Sequence, residues 1–233
     1  MDGSQYRSIV GKAMYITTKF LIEAANAVRE MTNFFKAPKK EHWEALEYFI
    51  GYLKGQKGQL KLTLRTPLET RFIGLVDANF GTDKDNRKSV TGAIYTLGGC
   101  IVSWTSKSQG RSALSSTEAE YYAISLGCQE LSFVRSLMKE IGEDVDPNYL
   151  IGDNSGALQL VKNRQAGTRT KHIDIHHHFI RDLWEDKQLD VRHIKTENNE
   201  ADLCTKNVTS KLHELHRCNI RNGRLNFIKE EMI

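Results

Sequence analysis

The sequence predicts a mixed α/β layer fold, and three observations predict it. Several windows carry apolar residues every three or four positions, as on one face of a helix. Others are short, apolar and β-rich, and one of these, "SVTGAIYTLGGCIVSWTSKS", reads as two strands around Gly98-Gly99, the clearest hairpin signal in the chain. The two kinds follow one another as β-β-β-α-β-α-α-β-α, an order that puts helices against a mixed sheet.

The elements follow in order. In "FLIEAANAVREMTNFF", Leu21, Ala24, Val28, Met31 and Phe35 form one helical stripe, and Pro38 breaks the chain after it. In "EHWEALEYFIGYLKG", Trp43, Leu46, Ile50 and Leu53 form a second, closed by Gly55. Two helices are therefore expected to open the protein. "RFIGLVDANF" is a strand up to Asp77, and the hairpin follows, with Trp104 ending a strand in the core. A long helix is expected from about Thr117 to Ile141, ended by Gly142. "NYLIGDN" is a buried strand ending at Asp153, and "SGALQLVKN" and "KHIDIHHHFIRDLWEDK" are helices. "LDVRHIK" is a strand, and "NEADLCTK" opens a further helix. The main boundary falls near residues 62–70. The expected division is a helical segment over 1–65, an α/β domain over 66–208 and a helical tail over 209–233.

Composition narrows the function classes. With 39% hydrophobic and 27% charged residues, the 233-residue chain is globular in type and long enough for a core of its own. A net charge of +4 permits an anionic partner without demanding one. Cys100, Cys128, Cys204 and Cys218 show neither zinc-site nor disulfide-framework spacing, which fits a reducing compartment. The N-terminus lacks the pattern of a signal peptide, and no apolar run is long enough to span a membrane.

The chemistry-bearing residues are acids. In "LSSTEAEYYA", Thr117 and Glu120 have capping-box spacing, so an ordinary helix start is one reading. The helical period favours another. The core stripe of the long helix runs Gly127, Leu131, Val134, Met138, Ile141. Seven residues before Gly127 lies Glu120, about 20° from the same line at ~100° per residue. Glu118 lies roughly 200° further round, on the solvent side with Ser125 and Ser132. Glu120 thus points toward the sheet, where Asp77 and Asp153 end apolar strands and Asp202 begins a helix. Ligands of open α/β sheets gather at such strand ends. Clustered carboxylates raise one another's pKa, and divalent cations relieve the repulsion. All-oxygen ligands select Mg²⁺ or Mn²⁺ over zinc, and such a site suits phosphoryl transfer.

The order Asp–Glu–Asp–Asp on this frame resembles the ribonuclease H fold. The stretches "VDANFGTDKDNRKSVTGAIYTLGGCIVSWTSKSQGRSALSSTEAEYYA", "IGDNSGAL", "RTKHIDIHHHFIRD" and "NNEADLCTK" are similar to the ribonuclease H domain of copia-type (Pseudoviridae) LTR-retrotransposon Pol polyproteins. "YRSIVGKAMYI" and "HWEALEYFIGYLKG" resemble the segment that joins reverse transcriptase to that domain. The resemblance implies a ribonuclease H-like fold, a five-stranded mixed sheet flanked by helices with an N-terminal helical connector. It implies hydrolysis of the RNA strand of RNA–DNA hybrids by two Mg²⁺ or Mn²⁺ ions, with Asp77, Glu120, Asp153 and Asp202 as ligands and Asp77 bridging. The reverse transcriptase part of the same polyprotein is the implied protein partner. The implied location is intracellular, in the cytoplasm and its virus-like particles, with the nucleus also open. Many cellular enzymes of this fold carry a histidine before the last aspartate, whereas "KTENNEAD" has none, which puts proton handling and product release in question.

With a hybrid as substrate, Ser116 and Thr117 are candidate readers of the RNA 2′-OH groups; capping the helix is the equal alternative. Lys162, Arg164, Arg169 and Lys171 lie in a stretch, 161–181, of net charge +4 and are expected to track phosphates; a solvated face is the alternative. His172 and His176 have i, i+4 spacing, but no third zinc ligand accompanies them, and His177 falls on an apolar stripe. Two other classes stay in view: a nonenzymatic ribonuclease H-fold scaffold that binds nucleic acid or protein, and an integrase of the same superfold. The second uses an Asp–Asp–Glu order, which this chain lacks.

Overall fold

The structure is a computed structural model and describes residues 3–58, 71–83, 86–143, 148–162, 174–223 and 225; the side chains of residues 174–177 are outside the description. Five strands form one sheet in the order β3-β2-β1-β4-β5. The central strand β1 (Phe72–Asn79) is antiparallel to β2 (Val90–Leu97), which is antiparallel to β3 (Cys100–Ser108). On its other side β1 is parallel to β4 (Asn148–Gly152), and β4 to β5 (Leu189–His193). The hairpin turns at Gly98 and Gly99, whose φ values of 56° and 79° need residues without a Cβ. Among the described residues, four α-helices accompany the sheet: α4 (Ser116–Glu140), α5 (Ser155–Lys162), α6 (Asp174–Glu185) and α7 (Ser210–Arg221).

Side-chain alternation along β1 divides the core. Phe72 and Val76 face α4, α5 and α6, packing with Tyr121, Ile124, Leu131, Leu158 and Ile180. Gly127 lets α4 lie close, because a Cβ there would sit 2.7 Å from Leu150 Cδ2. Ile73 and Leu75 point to the opposite face, which is covered by Ile22, Leu203, Ile220 and Leu225. Residues from both ends of the chain therefore complete the core of the sheet.

Among the described residues, three α-helices precede the sheet where the sequence pattern gives two: α1 (Gly3–Phe20), α2 (Ala25–Thr32) and α3 (Lys40–Gly55). The α1 stripe of Tyr6, Val10, Ala13 and Thr17 is too mixed to read as apolar, yet it is buried against the next two helices in a third cluster. These helices are tied to the rest by named bonds. Trp104 lies mid-strand in β3 rather than at its end, half-buried, and donates from Nε1 to the Thr17 carbonyl at 3.0 Å. Arg221 of α7 meets the buried Glu23 at 2.6 Å and donates to Gln56 Oε1 at 2.9 Å. Ile141, placed in the core stripe of α4 by its period, is 64% exposed. "NEADLCTK" forms a 3-10 turn (Glu200–Cys204) rather than the start of a long helix. Buried Asn199 explains the turn: its side chain donates to the Val76 carbonyl at 3.0 Å and accepts from Ala201 N–H at 3.2 Å. Among the described residues, no helix is long and apolar enough to cross a membrane.

Candidate metal centre

Three elements converge at the carboxyl ends of β1 and β4. Asp77 is near the end of β1, Asp153 directly follows β4, and Asp202 is in the 3-10 turn. One carboxylate oxygen from each lies within 4.8 Å of the others. Asp77 and Asp202 are buried and Asp153 is half-buried. The turn can come this close because Gly92, paired with Asp77 in the sheet register, has no side chain. A Cβ at Gly92 would lie 2.5 Å from Thr205 Cγ2 and 2.7 Å from Cys204 Cβ, distances real atoms do not adopt. Thr205 donates its hydroxyl hydrogen to Asp77 Oδ2, and Asn79 donates to the Thr205 carbonyl at 3.3 Å.

Glu120, in the first turns of α4, is buried beside this trio but is not part of it. Burial raises its carboxyl pKa to about 9, with repulsion from Asp77 and Asp153 adding to it, while the Ala78 backbone and Lys206 act the other way. The helical-face argument thus places Glu120 correctly and Glu118 wrongly. Glu118 is 6% exposed, not on a solvent side, and Ser125 above it is buried too. The chain before α4 covers that face: Gln109 donates to the Ala119 carbonyl at 2.9 Å. Glu118 accepts from Leu114 N–H at 2.7 Å and from the Tyr122 hydroxyl at 3.3 Å. The N-cap is Ser115, which accepts from Glu118 N–H at 3.1 Å, so the expected Thr117–Glu120 capping box is replaced by a cap two residues earlier.

Two residues of the site escaped the sequence reading. Lys206 places its ammonium 2.9 Å from Asp202 Oδ1 and 3.6 Å from Asp77 Oδ1. The signal was available, since Lys206 follows Asp202 by four residues and would share its side of a helical turn. His193, at the end of β5, has Nε2 3.0 Å from the Asp153 carbonyl oxygen. A histidine does precede the loop that lacks one, but its contact is with the backbone of Asp153 and not with a carboxylate of the centre. Burial pushes the Asp202 carboxyl up to about 7, with Asp77 adding and Lys206 opposing. Burial likewise raises Asp77, against the pull of Lys206 and Thr205. For Lys206, burial works against the charged form, but Asp77 and Asp202 outweigh it and hold its pKa above the ordinary value.

The residues fit a divalent cation. The donors are all carboxylate oxygens, which suit Mg²⁺ or Mn²⁺. A cation already stands between Asp77 and Asp202 in the form of the Lys206 ammonium.

The other candidate residues are placed in part. Ser116 is exposed and Thr117 half-buried at the start of α4, and the cap falls to Ser115. Thr117 packs near Gly156, beside Asp153 in sequence: a Cβ on Gly156 would lie 3.6 Å from Thr117 Cγ2. Lys162 is exposed in the last turn of α5. Arg164, Arg169, Lys171 and His172 lie outside the described residues, as do the side chains of His176 and His177.

No protein-family model matches the chain. Two curated relatives are similar over most of it. The retrovirus-related Pol polyprotein from transposon TNT 1-94 of Nicotiana tabacum is 38% identical over 211 residues, 90% of this chain. That from transposon RE1 of Arabidopsis thaliana is 34% identical over 206 residues, 88% of this chain. The chain spans 16% and 14% of their lengths. Among solved structures, LC11-RNase H1, isolated from compost, is similar with a TM-score of 0.46 at 16% identity, over 58% of this chain and 93% of that one. The sheet itself is five-stranded and mixed, with helices flanking it. On the sequence similarity, the chain is a homologue of one segment of the retrovirus-related Pol polyproteins of plant transposons.

Proposed function

We propose that the chain is a metal-dependent nuclease of the ribonuclease H type, cleaving the RNA strand of RNA–DNA hybrids. The observation that carries this reading is the convergence of Asp77, Asp153 and Asp202 within 4.8 Å, with Glu120 buried beside them. So many half-compensated acids at strand ends cost stability unless a cation neutralises them. Asp77, Glu120, Asp153 and Asp202 are the residues to hold two Mg²⁺ or Mn²⁺ ions. When bound, such ions supply an activated water and charge neutralisation at the leaving oxygen.

The chain's own groups divide the remaining work. Asp77 is the central ligand, since it meets Thr205 and Lys206 and is repelled by Asp153. Glu120 keeps a proton at neutral pH in the metal-free protein and gives it up when cations assemble. Ser116 and Thr117, free of the capping role at the start of α4, are available to RNA 2′-OH groups in the minor groove. Lys162, Arg164, Arg169 and Lys171 supply phosphate contacts. In the whole polyprotein the preceding partner is the reverse transcriptase part, and the setting is intracellular. A labelled RNA–DNA hybrid incubated with Mg²⁺, Mn²⁺ or EDTA tests the reading. Cleavage of the RNA strand with either metal is expected, and equal cleavage of single-stranded RNA, or none with either metal, would refute it.

A further inference from the structure

Lys206 occupies a position that a metal ligand set would otherwise offer to a dication. Its ammonium contacts Oδ1 of both Asp202 and Asp77, at 2.9 and 3.6 Å. Those contacts run through two of the three carboxylates that converge. A second cation brought onto the same oxygens would be repelled by the first, strongly so in a partly dry site. The backbone beneath Lys206 is pinned, because Thr205 bonds Asp77 through its hydroxyl and Asn79 through its carbonyl. The lysine side chain is not pinned in the same way. It is 31% exposed, and its flexible four-carbon stem can swing the charge into water.

We propose that Lys206 is an internal counter-ion, which pairs with Asp77 and Asp202 in the metal-free protein and is displaced when a divalent cation binds there. It lowers metal affinity by competition and shields two buried carboxylates from each other while no metal is present. The inference rests on the metal-centre reading above. It makes Lys206 a positioning residue for the cation, with a readout independent of cleavage.

Calorimetric titration of the metal-free protein with Mn²⁺ tests it, using wild type, Lys206→Met, Lys206→Arg and Asp77→Asn. Lys206→Met should bind Mn²⁺ about tenfold more tightly, within the range usual for coupled sites. Lys206→Arg, which keeps the charge, should stay near wild type. A second measurement uses wild-type protein alone: the rate at which an amine-acylating reagent labels Lys206, read by mass spectrometry against exposed Lys162. Labelling of Lys206 should accelerate when Mn²⁺ is added. Unchanged or weaker Mn²⁺ binding by Lys206→Met, or unchanged or slower labelling of Lys206 with Mn²⁺, overturns the counter-ion role. If wild type binds Mn²⁺ through Asp77 while either result fails, only this inference falls. If wild type takes up no Mn²⁺, the metal-centre reading falls with it.

Discussion

Replacing Glu120 with glutamine should stabilise the metal-free protein while abolishing cleavage, and the stabilisation should grow with pH. The reason lies in the surroundings of Glu120. Its carboxyl pKa is about 9 in the folded protein against an ordinary 4.5, because it is buried beside Asp77 and Asp153. A folded-state pKa above the unfolded value means that the native protein binds the extra proton. The group's cost to stability is then absent at low pH and accumulates as pH rises through 4.5 toward 9. That cost is about 1 kcal/mol at pH 5 and about 3 kcal/mol at pH 7, taking 1.36 kcal/mol per pH unit. Glutamine carries no such charge. For a chain of this size 1 kcal/mol moves the melting midpoint by roughly 2–4 °C. The variant should therefore melt within about 4 °C of wild type at pH 5 and about 6–12 °C above it at pH 7. The assay is thermal unfolding of both proteins in EDTA at pH 5, 6, 7 and 8. Addition of Mn²⁺ should then narrow the gap, because metal stabilises wild type more. A difference that stays constant with pH, or a variant increasingly less stable than wild type as pH rises, would refute the electrostatic account of Glu120.

Other outcomes can be read in the same protein. Asp77→Asn should abolish hybrid cleavage and leave a cooperative fold, checked by activity and circular dichroism together. Glu118→Gln should cost about 1 kcal/mol of stability through its weakened bond to Leu114 N–H, with most cleavage retained. A loss of cleavage as large as for Glu120→Gln would contradict that assignment. His216 of α7 is fully buried with neither ring nitrogen hydrogen-bonded, and burial lowers its pKa to about 4, with a smaller contribution from His213. Its contribution to stability should be full above pH 6.5 and be lost as pH falls toward 4, by about 3 kcal/mol at most. The test is whether acid unfolding of His216→Leu lacks that slope. Neutralising Arg169 and Lys171 together should flatten the salt dependence of hybrid affinity by up to about two units of slope. Single-turnover cleavage at saturating hybrid should hardly change, and an unchanged slope would make the stretch a solvated face.

The amino-acid order alone determined the local elements and the acids. Strands β1 and β4 are largely apolar runs with turn residues after them, β5 alternates apolar Leu189 and Val191 with polar neighbours, and Gly98-Gly99 forces a hairpin wherever the strands lie. Asp77 and Asp153 stand where such runs stop, and a carboxylate there already calls for a cation. The 3.6-residue period put Glu120 on the inner face of α4. The same period misplaced Glu118, because it describes a helix in isolation. Whether the opposite face meets water depends on the chain that comes before, and here that chain folds over it. Helix α1 was hidden for a related reason. Its stripe of Tyr6, Val10, Ala13 and Thr17 gains its meaning only from the helices that bury it.

Tertiary structure alone decided what completes the centre. Thr205 meets Asp77 across 128 positions of sequence, and His193 meets the Asp153 backbone carbonyl from the neighbouring strand. Lys206 has its four-residue spacing from Asp202 as a local signal, but its approach to Asp77 is tertiary. Gly92 reads as an ordinary weak spot in a strand until the turn of Asp202 is seen packed where its Cβ would be. Periodicity and capping follow from forces between residues a few positions apart, so they are written locally. Charge compensation among buried groups depends on distances through space, and those are fixed only when the sheet brings distant segments together.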